Sequence, residues 1–123
     1  MKTLSFFQSC GARSRLTLVS ERINYPFTLQ SITASFSAGC ENTLQLSFFH
    51  SIDHAAPTVA PPTDPSLLAE NSQVDYLVGD AQQKTVQHEL VVDERGSFLK
   101  VHGYNADYFP HDIDVQIAIQ PNL

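Results

Sequence analysis

Apolar residues recur at every second position through most of this 123-residue chain. In HDIDVQIAIQ, which begins at His111, the residues Ile113, Val115, Ile117 and Ile119 alternate with polar ones. Successive side chains of a strand point to opposite faces, so this period predicts strands with one buried face. The other face of each sheet is then left for water or for a partner.

About eight segments alternate in this way, and turn-forming residues separate most of them. They are TLSFFQS, RSRLTLVSE, YPFTLQSITASF, NTLQLSFFHSI, QVDYLVGD, KTVQHELVV, SFLKVHGY and HDIDVQIAIQ. Such punctuation predicts an all-β chain folded as an antiparallel sandwich or barrel. A one-residue slip of phase near Gln30 and Ser31 predicts a β-bulge. In QVDYLVGD the alternation directs Val74, Tyr76 and Val78 inward.

The stretch HSIDHAAPTVAPPTDPS, residues 50–66, interrupts the strands and holds four of the seven prolines. Strand segments lie on both sides of it, which predicts a long loop at 53–65 within a single domain, 1–123, rather than a linker. Pro57, Pro61 and Pro62 stiffen this loop, so we expect it to contact a partner. The following DPSLLAENS predicts one short helical turn near 65–71.

Charge is divided unevenly along the chain, whose net charge is −6. Residues 1–22 carry +3 and residues 41–123 carry −9. The acidic majority repels phosphate backbones, which argues against nucleic acid as a partner. Arg13 and Arg15 in the basic segment either pair with the acidic body of another copy or keep a strand edge soluble.

The first apolar run, LSFF, is too short for the core of a secretory signal, and no stretch has the length of a membrane helix. The sequence therefore predicts a protein made in the cytoplasm, which stays there or is assembled into a virion, with no membrane partner. Cys10 and Cys40 lack the spacing of a zinc site or a redox pair, and both free thiols and a disulfide remain open.

Histidine pairs offer little metal chemistry. His50 and His54 are four residues apart, but they leave a strand and enter proline, so a site formed by His50, Asp53 and His54 needs a tight turn at Ser51–Asp53. His88 is in phase with inward residues of its strand and is expected to be hydrogen-bonded and partly buried. The phase of SFLKVHGY directs Lys100 and His102 outward.

Three aspartates flank the last turn: Asp107, Asp112 and Asp114. They are weak candidates for structural calcium, because hard cations need several converging oxygens and the spacing is not that of a helix–loop–helix site. No serine lies in a nucleophile elbow, and neither cysteine has a neighbouring base in sequence. We therefore expect no enzyme activity, no cofactor and no metal.

Aromatic residues are the best candidates for contacts with a partner. GYNADYF places Tyr104, Tyr108 and Phe109 around one loop, as a satellite of the core or as an exposed patch. Phe6 and Phe7 are costly to expose, so we expect them to pack on a neighbouring chain or on their own sheet. Tyrosine and phenylalanine in loops often anchor interfaces.

The ending GSFLKVHGYNADYFPHDIDVQIAIQ resembles the closing hairpin of small jelly rolls, in which an Asn/Asp loop leads into a final alternating strand. Such endings occur in carbohydrate-binding modules and in the jelly-roll decoration and tail proteins of phage virions. The resemblance covers 25 residues. It implies a jelly-roll-like β-sandwich and carries no site residues with it.

Together these features predict a non-catalytic structural or interaction protein, most concretely a homo-oligomeric accessory component of a phage-like particle, of the decoration, head or tail type. Its partners would be further copies of itself and the larger assembly. The alternative is a small carbohydrate- or ligand-binding module, with a glycan as partner.

Overall fold

The chain folds into two antiparallel sheets, seen in a computed structural model that describes residues 2–36, 43–52, 67, 76–93 and 96–122, with the backbone alone described for His88. Within these residues there are seven strands: β1 (Lys2–Cys10), β2 (Ser14–Val19), β3 (Phe27–Phe36), β4 (Leu44–Ser51), β5 (Gln82–Val92), β6 (Phe98–Asn105) and β7 (His111–Pro121). The predicted all-β sandwich is confirmed.

The strand order identifies the architecture. One sheet has the order β1-β7-β3-β5 and the other β2-β6-β4. Leu77 adds a single bridge to Leu46 of β4, with N···O distances of 2.9 and 2.8 Å, so it occupies the place of a fourth strand in the second sheet. Four positions in each sheet, filled by strands that cross between the sheets, make the jelly roll that the resemblance implies.

The bridge at Leu77 corrects one prediction. QVDYLVGD was expected to point Tyr76 and Val78 inward, whereas Leu77 is the residue that packs against the core and Tyr76 is exposed. The described part of this segment forms one bridge and no strand. It therefore lacks the run of backbone hydrogen bonds to a neighbouring strand that would fix which of its side chains point inward. Val74 lies outside the described residues.

The core lies between the two sheets and follows the predicted alternation. Every second residue of β7 is fully buried, from Ile113 to Ile119, and the bulge predicted in β3 appears as a register shift between Leu29 and Ser31. The sheets come close where β6 carries Gly103, since a Cβ atom there would lie 2.6 Å from Cδ1 of Ile113.

Within residues 53–75 the structure describes one position. Leu67 has helical backbone and is buried in the core, while the rest of the helical turn expected near 65–71 lies outside the described residues. The proline-rich loop, with Pro57, Pro61 and Pro62, lies outside them as well.

Candidate functional site: the aromatic corner

Two turns meet at one end of the sandwich. The β1–β2 turn follows Cys10 and the β6–β7 turn precedes His111, and these two residues are paired across β1 and β7. The backbone N–H of Arg13 donates to the carbonyl of Asp107 at 2.9 Å, which joins the two turns directly. We call the surface formed there by Arg13, Tyr108 and Phe109 the aromatic corner.

Asn105 holds this corner together from inside. Its side chain is completely buried, and its amide nitrogen donates to the carbonyls of Cys10, Gly11 and Phe109 at 3.3, 3.2 and 2.8 Å. Its amide oxygen accepts from the backbone N–H of Asp107 at 3.0 Å. One side chain thus satisfies backbone groups of both turns, which fixes their relative position.

Asp107 stabilises the β6–β7 turn. Its carboxylate lies 2.8 Å from Nε2 of His111 and accepts the backbone N–H of Tyr108 at 2.7 Å. The hydrogen bond from His111 comes first among the causes that lower the pKa of Asp107, followed by the one from Tyr108. Asp107 therefore caps its own turn as a carboxylate.

The candidate calcium ligands do not converge. Asp107 faces His111, whereas Asp112 and Asp114 project from the opposite, outer face of β7, in the alternate phase from the buried residues. Among the described residues, no three His, Cys, Asp or Glu side chains are placed to hold a metal ion. His54 and Asp53 lie outside that part of the chain.

The corner exposes its aromatic rings. Tyr108 is 74% exposed and Phe109 is 69% exposed, and the guanidinium of Arg13 lies 4.9 Å from the centroid of the Tyr108 ring. From the sequence, these rings could belong either to a satellite of the core or to an exposed contact patch. The structure places them at the surface, over a backbone that Asn105 and Asp107 hold in one conformation.

Phe6 and Phe7 are separated by the alternation of β1. Phe6 points inward and is 6% exposed, so it belongs to the core of its own sandwich and is not available as a partner contact. Phe7 points outward and is 69% exposed. It lies three residues before Cys10, which puts it about 10 Å along the strand from the corner.

A shallow depression of about 200 Å³ adjoins Phe7 on the outer face of the four-stranded sheet. Strand register aligns Phe7, Asp114, Ser35 and Gln83 in one row across all four strands. Gln83 donates its amide N–H to Oγ of Ser35 at 3.3 Å. The row thus combines an exposed ring with a carboxylate, a hydroxyl and an amide.

Several residues on the outer face of the three-stranded sheet are buried, which the sequence did not predict. Lys100 is 1% and His102 is 2% exposed, although both were expected on the face left for water or for a partner. Their direction was predicted correctly, but Thr17 and Phe49 on the same face are buried too. The alternating sequence pattern predicts which face of the sheet a side chain lies on, but it does not predict what covers that face.

His102 is the centre of a polar cluster on this face. Arg15 donates to its Nε2 at 3.3 Å, so Nε2 must accept and the ring proton resides on Nδ1, 2.7 Å from Oγ1 of Thr17. Burial, and then the charge of Arg15, lower the pKa of His102 to about 4. Arg15 also stacks on half-buried Tyr104, 4.2 Å from the ring centroid, so these two residues are held within the chain.

Cys10 carries a free, buried thiol. Its Sγ lies 3.5 Å from the carbonyl of Ser14, and burial raises its pKa. A raised pKa keeps the thiol protonated and unreactive. Cys40, the other half of the disulfide that the sequence left open, lies outside the described residues.

No helix in the described part of the chain is long and apolar enough to cross a membrane.

No protein family matches the sequence, and no curated protein matches it. Among solved structures, the chain is similar to Aeromonas hydrophila PliG, a periplasmic inhibitor of g-type lysozyme, with 14% identity, a TM-score of 0.39, and coverage of 96% of this chain and 86% of that one. It is also similar to a family two carbohydrate esterase from Cellvibrio japonicus, with 13% identity and a TM-score of 0.32, covering 95% of this chain and 34% of the esterase.

Proposed function

We propose that this protein is a non-catalytic, homo-oligomeric accessory component of a phage-like particle, of the decoration, head or tail type, and that the aromatic corner is one of its contact surfaces. This proposal rests on the exposure of Tyr108 and Phe109 on two turns that hydrogen bonds hold together. The jelly-roll architecture and the resemblance of the closing hairpin to phage accessory proteins support the phage assignment.

The corner has the properties of an interface anchor. Large aromatic side chains bring much contact area for little conformational entropy, and rings on a rigid backbone lose less entropy on binding than rings on a mobile loop. Asn105 and Asp107 provide that rigidity through hydrogen bonds to the backbone of both turns. Arg13, stacked on Tyr108, adds a cation beside the rings, as is common in the centres of interfaces.

Replacing both rings, Tyr108→Ser with Phe109→Ser, should weaken homo-oligomer formation by at least about tenfold, because each anchor removed from an interface centre costs more than 1 kcal/mol. The oligomer mass is measured by light scattering over a range of protein concentrations. Val91→Ser is the matched control, since Val91 is 61% exposed on the outer face of β5 and outside the corner. Equal masses for the double variant and the wild type would contradict the role of the corner.

The phage assignment has its own test. Mass spectrometry of gradient-purified particles from the source of this gene should find the chain in many copies per particle. A wild-type protein that is monomeric at micromolar concentration and missing from such particles would remove the proposal.

A second candidate function, binding of a neutral saccharide, is favoured by the row beside Phe7. An exposed ring can cover the apolar face of a sugar, while Asp114, Ser35 and Gln83 offer acceptors and donors to its hydroxyls. Here we expect calorimetry with neutral oligosaccharides to detect binding that Phe7→Ala weakens at least about tenfold, as loss of one aromatic contact would. Phe109→Ala should leave it unchanged, and a wild type with no measurable heat for any saccharide would exclude this function.

A further inference from the structure

β1 is the edge of the four-stranded sheet. Among the described residues it pairs with β7 alone, from Lys2 opposite Ile119 to Cys10 opposite His111, without a break in register. In an antiparallel sheet every second residue of an edge strand directs its N–H and C=O away from its neighbour. These groups form a template for another strand.

The other three edges carry the features that normally prevent pairing between molecules. β5 contains Lys84 and Glu89, and its register with β3 shifts at a bulge. β2 is six residues long and carries Arg15, while β4 is bridged by Leu77. Charges, bulges, short length and a covering segment all oppose edge-to-edge association.

β1 has none of these features beyond Lys2. From Thr3 to Cys10 the strand has no charged residue, no proline and no register shift. It also carries the exposed ring of Phe7 in its middle. An open groove of about 300 Å³ runs along its first half, lined by residues 2–6 and by Val19, Ser20 and Glu21 of the facing sheet edge. The edge is therefore unprotected from Thr3 to Ser9, where most of its residues are exposed, whereas Cys10 is completely buried.

We propose that β1 pairs antiparallel with β1 of a second copy, about a two-fold axis that passes beside Phe7. Phe7 then lies opposite the partner's Phe7, and Ser5 lies opposite the partner's Ser9. Opposed positions have the same phase, so inward residues of both copies stay inward and the two sheets become one eight-stranded sheet. The inference rests on the homo-oligomeric part of the proposed function.

The two Phe7 rings supply the specificity of this pairing. Residues directly opposite in an antiparallel pair have Cβ atoms about 5 Å apart, so the two rings cover each other as a cross-strand aromatic pair. The contact is isologous and closed, which limits the assembly through this edge to two copies. A slip by two residues would place each ring opposite a serine and would weaken the contact between the two rings.

The test uses the Tyr108→Ser, Phe109→Ser double variant as background, which removes contacts through the aromatic corner. We expect this parent to be a dimer in light scattering. Phe7→Lys or Phe7→Glu added to it should each raise the dimer dissociation constant at least about tenfold, because like charges then lie directly opposite. Mixing the two should restore a dimer that contains one copy of each. Gln87→Lys, on the exposed outer face of β5, is the control and should leave the dimer unchanged.

Each outcome either supports or overturns the pairing of β1 with a second copy. A Phe7→Lys protein with the dissociation constant of its parent overturns the pairing, and so does a mixture of the Lys and Glu variants that stays monomeric. A monomeric parent overturns the β1 pairing while an oligomeric wild type still supports the proposed function. A monomeric wild type removes the homo-oligomeric function and the pairing with it.

Discussion

Replacing Asn105 with alanine should lower the free energy of unfolding by about 3 kcal/mol, since a buried amide with several partners is lost and those partners are left unsatisfied. Asn105 donates to carbonyls of β1, of the β1–β2 turn and of the β6–β7 turn, and accepts from Asp107. Alanine removes all of these hydrogen bonds at a position that is completely buried. Chemical unfolding followed by circular dichroism measures the change.

Asn122→Ala is the matched control for this prediction. Asn122 also donates from its side-chain amide, to Oγ1 of Thr28 at 2.9 Å, but it is exposed, so water can replace the lost bond. Its replacement should change stability by no more than about 0.5 kcal/mol. If Asn105→Ala cost as little as Asn122→Ala, Asn105 would not be the residue that holds the corner.

His102 should make the protein less stable as the pH falls from about 6.5 to about 4. Its pKa is about 4 in the folded protein, below the value of 6.5 for a free histidine. The unfolded chain therefore takes up this proton first, and acid favours unfolding over that window. The stabilising contribution is complete above pH 6.5 and is lost as the pH approaches the folded pKa. The difference between the two pKa values corresponds to a change of about 3 kcal/mol in the free energy of unfolding, at about 1.36 kcal/mol per pKa unit.

His102→Asn isolates this contribution, because the variant keeps an amide near Thr17 but has nothing to protonate. Its stability deficit relative to wild type should shrink by about 3 kcal/mol between pH 7 and pH 4. Ser47→Ala changes the β4 residue opposite His102 without changing a titrating group, so its deficit should not depend on pH. Parallel pH profiles for wild type and His102→Asn would show that His102 is not held neutral by burial and by Arg15.

The sequence predicted more of the fold than of the candidate site. Alternation is a local property, because steric constraints on each strand residue direct neighbouring side chains to opposite faces. It therefore sufficed for the strands, for the inward residues of β7 and for the bulge next to Gln30. It failed at Leu77, where a single bridge replaces the predicted strand and no ladder sets the phase.

The aromatic corner needed the tertiary structure. In the sequence, Cys10 and Asn105 are far apart, and nothing about either residue shows that the amide of one reaches the carbonyl of the other. The same holds for Phe6 and Phe7, which are adjacent and equally apolar. The alternation of β1 implies that they face opposite ways, but only the position of β1 over the core shows that Phe6 is the buried one.

The amino-acid pattern alone determined that the chain forms antiparallel strands with one apolar face each, because the period of two is set by backbone geometry within each segment. The tertiary structure decided which outward faces stay open. Lys100 and His102 point outward, as their phase requires, yet they are buried, whereas Phe7 points outward and is exposed. Coverage of a face and freedom of an edge depend on how distant segments close around the core, and no local pattern encodes that closure.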